Sequence, residues 1–298
     1  MNREGVSVCI TAYKTQDYIK ECLDSVVNQT WFKDNDNFEI IVGIDGCEQT
    51  LEYLKTIMHN YKNLKVWMMD SNKGTYITSN TIMSNAKYEN IFRFDSDDIM
   101  CSNLIEEVMT HKDRCKLVRY YYKNFGSEKK ATGCAHGTIY VKKSTFVKYG
   151  GFRPWPCSAD TEIYYRLKNL EPIKNIRQIL MLRRVHETSL THAKDTGMKS
   201  ELRQKYKDFI SNMSISKYSD AIINMTTNTY TEIYSSENNK KQEEYTDTLK
   251  SITVSTPERI STHKTKKAMV ISTLRKDISS GKLIRVPVTG GYAWKRIK

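Results

Sequence analysis

The sequence has no run of about 18 apolar residues, so it contains no candidate membrane-spanning helix. The first apolar run, Val6–Ile10, is too short for the core of a signal peptide, and no small-residue cleavage site accompanies it. The seven cysteines are odd in number and none forms a CxxC pair, which argues against a disulfide framework and against a zinc–thiolate site. These absences predict a globular cytoplasmic protein with reduced thiols.

Acidic residues are nearly missing from the end of the chain. Residues 259–298 hold 11 basic side chains and one acid, Asp277. Residues 199–298 hold 19 basic and 10 acidic side chains, whereas residues 1–198 hold 28 and 24. A basic segment at one end indicates a polyanionic partner, either nucleic acid or an anionic membrane surface. The tail has no obvious amphipathic helix with large apolar residues opposite a basic face, which argues against lipid.

The first 190 residues alternate regularly between strand-like and helix-like segments. Strands are predicted at 6–11, 39–44, 64–69 and 91–94, with helices between them at 18–29, 51–61 and 76–86. Further strands are predicted at 116–122, 138–141 and 179–185, and helices at 144–149 and 159–169. This order predicts an α/β fold with a mostly parallel sheet and helices on both faces. Ligands of such sheets bind at the carboxyl ends of the strands.

Three carboxylates occur within four residues at the end of the fourth strand, in Asp95-Ser96-Asp97-Asp98. Such charges repel one another unless a cation neutralises them. Carboxylate oxygens suit Mg²⁺ or Mn²⁺, usually with substrate phosphates completing the coordination. The alternative is an acidic cap at a helix N-terminus, but three acids exceed what a cap needs.

Several short motifs follow one another in a fixed order over residues 11–189. They are Thr11-Ala12-Tyr13, Asp45 after the second strand, Asn72-Lys73-Gly74, Asp95-Ser96-Asp97, Gly150-Gly151-Phe152 with Asp160-Thr161-Glu162 beyond it, and Arg184-Val185-His186-Glu187-Thr188-Ser189. Together they resemble family 2 of the inverting glycosyltransferases, which have the GT-A fold. Two departures are that Ala159 stands where the family usually has an acid and that Gly46 follows Asp45 where a second Asp is common.

The resemblance implies a donor site for a nucleotide-diphosphate sugar and a divalent cation, Mn²⁺ or Mg²⁺. Asp97 is the expected metal ligand, and Asp95 is expected to bridge to the ribose or to metal-bound water. His186 is either a further metal or phosphate ligand or an ordinary histidine. The residues expected to bind the nucleotide sugar are Thr11, Tyr13, Asp45, Lys73, Asp95 and Arg184. A UDP-sugar is favoured because Asp45 suits contact with a base N–H such as that of uracil.

The acceptor side follows from the same resemblance. Asp160 is the candidate general base that deprotonates the acceptor hydroxyl for in-line attack with inversion. Glu162 and Trp155 are expected near the acceptor, although Trp155 is equally explained as a packed loop aromatic.

Residues 243–298 resemble a small α+β winged-helix module, with helix-like segments at 243–254, from Thr256, and at 265–279, and a basic hairpin at 283–297. This resemblance implies that nine basic side chains contact DNA phosphates. They are Lys264, Lys266, Lys267, Arg275, Lys276, Lys282, Arg285, Lys295 and Arg296.

These observations predict a GT-A domain at 1–210, a helical connection or linker at 211–242 and the winged-helix-like domain at 243–298. The leading hypothesis is a phage-encoded, metal-dependent inverting glycosyltransferase that acts on a hydroxyl of modified (hydroxymethylated) duplex DNA. One alternative is a glycosyltransferase of cell-surface polysaccharide or glycolipid assembly. The other is a non-catalytic DNA-binding module, against which the intact Asp95, Asp97 and Asp160 argue.

Overall fold

The structure is a computed structural model that describes residues 4–33, 35–126, 131–212 and 223–237, together with the backbone of 283–288 and 291–296. The chain divides into two compact units, Met1–Gln242 and Glu243–Lys298. Within the described residues, no helix is long and apolar enough to cross a membrane.

The centre of the first unit is a four-stranded parallel sheet in the order β3-β2-β1-β4. Its strands are β1 (Val6–Ala12), β2 (Phe38–Ile44), β3 (Leu64–Met69) and β4 (Asn90–Asp95). The helices between them are α1 (Ile19–Val27), α2 (Glu48–Ile57) and α3 (Thr75–Ser84). β1 and β2 are buried along their whole lengths, as expected of strands covered on both faces. The predicted strands and helices of this half are confirmed to within a few residues at their ends.

Beyond β4 the sheet becomes mixed, and ten strands take part in all among the described residues. The remaining elements are β5 (Ile99–Met100), α4 (Leu104–Met109), β6 (Leu117–Phe125), β7 (Thr132–Cys134), β8 (Ile139–Lys142), α5 (Lys143–Lys148), α6 (Ala159–Leu167), β9 (Ile173–Arg184), α7 (Glu201–Asn212) and β10 (Tyr230–Ser235). The strand order continues from β4 through β8, β6 and β9 to β5. β8 is antiparallel to β4 and β6, whereas β9 is parallel to β6. The parallel arrangement is therefore confirmed for the centre of the sheet and not for this flank.

Two hydrophobic clusters cover the two faces of the sheet. One contains Leu23 of α1, Leu54 of α2 and Leu104 of α4, and the other contains Ile82 of α3, Phe146 of α5 and Ile163 of α6. Neighbouring residues of each central strand alternate between the clusters because successive side chains of a strand point to opposite faces. The predicted placement of helices on both faces is confirmed.

Part of the predicted connection at 211–242 is a strand of the main sheet. β10 pairs antiparallel with β3, and the Tyr230 ring stacks on that of Trp67 with 4.3 Å between centroids. Trp67 Nε1 donates to Glu232 Oε2 at 3.1 Å. The interpretation of this stretch as a linker is wrong for 230–235, because its polar side chains belong to an exposed edge strand and give little hydrophobic pattern.

The described part of the second unit is a hairpin. β11 (Leu283–Val288) and β12 (Gly291–Arg296) are antiparallel, with Leu283 opposite Arg296. The helices predicted in 243–279 lie outside the described residues, as do Lys264, Lys266, Lys267, Arg275, Lys276 and Lys282. Arg285, Lys295 and Arg296 lie on the two strands, but only their backbone is described.

Candidate active site

The carboxyl ends of β1, β2 and β4 meet at one edge of the sheet because the three strands are parallel neighbours. Thr11, Asp45 and Asp95 occupy these ends, and Thr11 lies opposite Asp95 in the strand register. Ligands of α/β sheets bind at such an edge. The structure thus brings together the residues that the sequence predicts for nucleotide-sugar binding.

Asp45 orders the loop that leads into α3. Its carboxylate accepts hydrogen bonds from the backbone N–H groups of Lys73 at 3.0 Å and Gly74 at 2.9 Å, and from Thr78 Oγ1 at 2.9 Å. Asp45 is 3% exposed. Because its buried carboxylate accepts three hydrogen bonds, Asp45 fixes the conformation of the loop over residues 73–78.

Arg93 is a buried cation beneath the carboxylate cluster, and the sequence analysis missed it. Its side chain is 2% exposed, and Nη1 lies 2.7 Å from Asp95 Oδ1. Nη2 donates to Thr75 Oγ1 at 2.8 Å and to Thr11 Oγ1 at 3.3 Å. Buried charges are retained when they are paired and hydrogen-bonded, and Arg93 meets both conditions. A charged residue in an otherwise apolar strand, Ile91–Phe94, was the signal for it.

Asp160 lies at the start of α6 and faces this same cluster. A β-carbon added to Gly137 would lie 3.0 Å from Arg93 Nη1, 3.4 Å from Asp95 Oδ2 and 3.5 Å from Asp160 Oδ2. The three charged groups therefore converge within a few ångströms of Gly137. Asp160 Oδ1 accepts a hydrogen bond from the Thr161 N–H at 2.8 Å, which fixes the carboxylate at the helix start.

The electrostatics of the cluster favour a bound cation. Burial raises the pKa of Asp95, with Arg93 acting in the opposite direction and Asp97 and Asp160 raising it further. Burial and the charges of Asp97 and Asp95 also raise the pKa of Asp98 well above its usual range. Positive charge brought by a ligand would relieve this repulsion among carboxylates.

Tyr76 is a second residue that the sequence analysis missed. It lies on α3, is 5% exposed, and packs against the Phe152 ring with 5.3 Å between centroids. Burial raises the pKa of Tyr76 well above its usual range, and the charge of the neighbouring Asp160 adds to the shift. Its hydroxyl therefore stays protonated and is available as a donor beside Asp160.

Asp97 and His186 contact each other directly. Asp97 Oδ2 lies 2.8 Å from His186 Nε2, and His186 Nδ1 lies 2.8 Å from Thr188 Oγ1. In the part of the chain that the structure describes, no group of three or more His, Cys, Asp or Glu side chains is arranged to hold a metal ion. The pair nevertheless fits Mn²⁺ or Mg²⁺ in its donor atoms, since a carboxylate and an imidazole can ligate one ion when diphosphate oxygens complete the shell.

Arg184 lies beside Asp97 and already makes three polar contacts with the protein. Its Nε donates to the Asp97 carbonyl at 3.0 Å, and its backbone N–H donates to Asp98 Oδ1 at 2.8 Å. Its Nη2 also pairs with Glu21. Arg184 thus fastens the end of β9 to the acidic turn. Tyr13 and Lys73 are exposed at the same edge, where the sequence predicts the nucleotide.

Glu162 is not placed to meet an acceptor, contrary to the sequence-based expectation. Its side chain is 0% exposed and lies 2.9 Å from the guanidiniums of both Arg166 and Arg153. Arg166 Nη2 also donates to the Gly151 carbonyl at 2.6 Å. This network joins α6 to the Gly150–Phe152 turn, so Glu162 has a structural position two residues from Asp160.

Trp155 uses its ring for packing on α7. It stacks on Tyr206 with 4.2 Å between centroids and an interplanar angle of 14°, and Phe209 meets it edge-on at 5.4 Å. At least one face of the indole is therefore covered by the protein. The structure favours the packed-aromatic interpretation over a sugar platform.

Comparison with known proteins agrees with this arrangement. Residues 7–161, more than half of the 298, match the model of the family described as Glycosyl transferase family 2. The chain is 35% identical over 102 residues to the poly(ribitol-phosphate) beta-glucosyltransferase of Bacillus spizizenii, covering 34% of this chain and 16% of that protein. The aligned stretch makes up between 10% and 40% of the length of five curated relatives that are 31–35% identical.

Two solved structures share the fold. S. aureus TarS 1–349 in complex with UDP-GlcNAc superposes with a TM-score of 0.54 at 18% identity, covering 62% of this chain and 60% of that one. The mannosyltransferase PcManGT of Pyrobaculum calidifontis, in complex with GDP-Man and Mn²⁺, superposes with a TM-score of 0.57 at 13% identity, covering 74% and 69%. The expected GT-A fold is thereby confirmed for the first unit.

Proposed function

The chain belongs to glycosyl transferase family 2, and from this membership we propose that it transfers a sugar with inversion from a UDP-sugar to a hydroxyl of a cell-surface glycan polymer. The observation that carries the proposal is the meeting of Asp95, Asp160 and Arg93 at Gly137, at the sheet edge where β1, β2 and β4 end. A carboxylate for the acceptor and a carboxylate for the donor then lie on the two sides of one reaction centre.

On the donor side, Asp97 and His186 would hold Mn²⁺ or Mg²⁺, which stabilises the negative charge of the departing diphosphate when bound. Asp45 keeps the loop over 73–78 in place. Arg93 holds the Asp95 carboxylate and the Thr11 and Thr75 hydroxyls in one arrangement. The fold is shared with one protein crystallised with UDP-GlcNAc and with another crystallised with GDP-Man, so the proposal of a uridine nucleotide rests on the sequence-based expectation for Asp45.

On the acceptor side, Asp160 acts as the general base. It removes the proton of the acceptor hydroxyl while that oxygen bonds to the anomeric carbon and the bond to UDP breaks, so the configuration inverts. The Tyr76 hydroxyl, protonated and buried, orients the carboxylate. Correct placement of reacting groups alone supplies a large part of the rate.

A glycan polymer is favoured over duplex DNA as the acceptor. A relative with 35% identity is named for glucosyl transfer to poly(ribitol phosphate), which is a polymer that carries hydroxyl groups. The DNA hypothesis depends on the basic residues of 243–298, whose side chains lie outside the described residues. Neither the winged-helix interpretation nor a phage source gains support from the relatives, and the non-catalytic alternative is disfavoured by the assembled carboxylates.

The test is a transfer assay with the full chain, Mn²⁺, and UDP-glucose or UDP-GlcNAc as donor. Poly(ribitol phosphate) and a duplex containing hydroxymethylcytosine serve as the two acceptors. We expect release of UDP with sugar incorporated into the polymer, and loss of both in Asp160→Asn. Incorporation into the duplex alone would return the DNA hypothesis to first place. No UDP release with any donor or acceptor would contradict the proposed activity.

A further inference from the structure

The segment between β7 and β8, residues 135–138, forms a wall of the reaction centre. Gly137 in this segment lies against Arg93, Asp95 and Asp160, as described above. The segment is fastened at both ends. The Ala135 N–H donates to the Tyr120 carbonyl at 2.9 Å, and Thr138 Oγ1 lies 2.8 Å from Met181 Sδ. A fixed segment beside the reacting groups can present a side chain to substrate with little entropic cost.

His136 is the side chain that this segment presents. Its ring meets the Tyr164 ring edge-on, with 5.8 Å between centroids and an interplanar angle of 85°. The Arg119 guanidinium lies 3.8 Å from the centroid of the same Tyr164 ring and so helps to hold that ring in place. Tyr164 belongs to α6, the helix that begins with Asp160. His136 is therefore held next to the general base by packing on the helix that carries it.

The imidazole of His136 has an unmet hydrogen-bonding group. Nδ1 is shielded from water and has no hydrogen-bond partner in the protein. A buried polar atom left unpaired has lost its hydrogen bonds to water without replacement, so native structures contain few such atoms. A half-turn of the ring about its Cβ–Cγ bond exchanges the positions of nitrogen and carbon, so the nitrogen can be presented on either side of the ring.

The charge state of His136 suits a neutral partner. Burial and the nearby Arg119 lower the pKa of His136, while Asp160 acts in the opposite direction. A neutral imidazole offers one donor and one acceptor, which matches the dual character of a sugar hydroxyl. An anionic phosphate would instead call for a cationic ring.

We propose that His136 hydrogen-bonds a hydroxyl of the sugar being transferred and so helps to select the donor sugar. This inference rests on the proposed function, which places the donor sugar ring between the diphosphate site at Asp95 and Asp97 and the base at Asp160. Gly137 borders that space, since a β-carbon added there would lie within 3.5 Å of Asp95 and Asp160. His136 is its neighbour in the chain and packs on Tyr164, one helical turn from Asp160. In the proposed arrangement the nucleotide would lie at the ends of β1 and β2, beside Thr11 and Asp45, and not beside His136.

The experiment compares UDP with UDP-glucose and UDP-GlcNAc by calorimetric titration of the full chain in Mn²⁺. His136→Phe keeps an aromatic ring against Tyr164 and removes both nitrogens. We expect it to weaken binding of the preferred UDP-sugar about five- to tenfold, the loss of one neutral hydrogen bond, and to leave UDP within twofold. His136→Asn should recover part of the loss, and His111→Phe, outside the site, should change neither ligand.

The possible outcomes distinguish failure of the inference about His136 from failure of the proposed function. UDP-sugar binding that is unchanged in His136→Phe, with the wild type binding UDP-sugar, would overturn the inference and leave the proposed function standing. Equal losses for UDP and UDP-sugar would also overturn it, because they indicate a general disturbance of the site. A wild type that binds no nucleotide would contradict the proposed function and the inference with it. Melting temperatures identify any variant that fails to fold.

Discussion

The two flanks of the candidate site are built in different ways. On the donor flank, the functional side chains stand at the ends of parallel strands, and hydrogen bonds from backbone N–H groups fix Asp45. On the acceptor flank, Asp160 stands at the start of a helix that an ion-pair network ties to a turn, and the Glu162–Arg166 pair of that network is fully buried. The donor flank therefore depends on strand register, and the acceptor flank depends on charges buried far from solvent.

Two acids only two residues apart, Asp160 and Glu162, have different surroundings on the acceptor flank. Asp160 faces Asp95 and Arg93, whereas Glu162 is enclosed between Arg153 and Arg166. Residues two positions apart on a helix point in different directions, so neighbouring members of one sequence motif can contact different parts of the protein. The predictions below test that difference, in descending order of expected effect.

The largest effect is expected for Asp160→Asn. The amide cannot take up the acceptor proton, so turnover should fall about 10²–10⁴-fold, the usual contribution of a general base. UDP binding and melting temperature should stay close to the wild-type values, because the change is isosteric. Asp208→Asn on α7 is the control. Retained turnover in Asp160→Asn would remove the assigned base.

Glu162→Gln should act on stability instead. Breaking one partner of a fully buried ion pair leaves an uncompensated charge and costs about 3–5 kcal/mol of the free energy of unfolding. The matched control is Glu52→Gln, which removes the exposed ion pair with Lys55 and should leave the free energy of unfolding nearly unchanged, because solvent screens such a pair. Denaturant unfolding measures both. Equal stability of the two variants would show that the acceptor flank does not depend on the buried network.

Asp45→Asn tests the donor flank. The amide loses acceptor capacity toward the backbone N–H groups of Lys73 and Gly74, so the loop should loosen and stability should fall by about 1–3 kcal/mol. UDP affinity should fall with it, by about tenfold. Asp70→Asn, at the exposed end of β3, is the control. An unchanged UDP affinity would mean that loop order does not support the nucleotide site.

The smallest effect is expected from ending the chain at Gln242. The first unit contains every residue assigned to the site. The UDP affinity of the truncated protein should therefore stay within about twofold of that of the full chain, well below the tenfold change that corresponds to 1.4 kcal/mol. A binding loss beyond tenfold would show that the basic segment contributes to the donor site.

The sequence predicts the parallel centre well because each of its strands is mostly apolar and the helices between them have their own apolar spacing. The donor carboxylates follow from the same reasoning, since they stand where those strands end. β10 escapes prediction because an exposed edge strand carries polar side chains. Arg93, Tyr76 and His136 escape it because their roles arise from contacts with residues distant in the chain, such as Asp160 with Tyr76, which no local pattern records.

Trp155 and Glu162 show the opposite case, in which the structure gives packing contacts to residues that the sequence places near the acceptor. Both stand in motifs that resemble functional ones. In the structure Trp155 stacks on Tyr206, and Glu162 forms ion pairs with two arginines. The pairing partners lie on other turns or another helix, so the motif alone does not reveal them.

The central claim is that the edge formed by β1, β2 and β4 binds a nucleotide through a divalent cation. The most direct test is calorimetric titration of UDP in Mn²⁺ and in EDTA, with wild type, Asp97→Ala and the exposed control Asp17→Ala. The account predicts that UDP binding by wild type and by Asp17→Ala requires Mn²⁺, and that Asp97→Ala binds at least about tenfold more weakly. UDP binding that is equally strong in EDTA and in Asp97→Ala would contradict it.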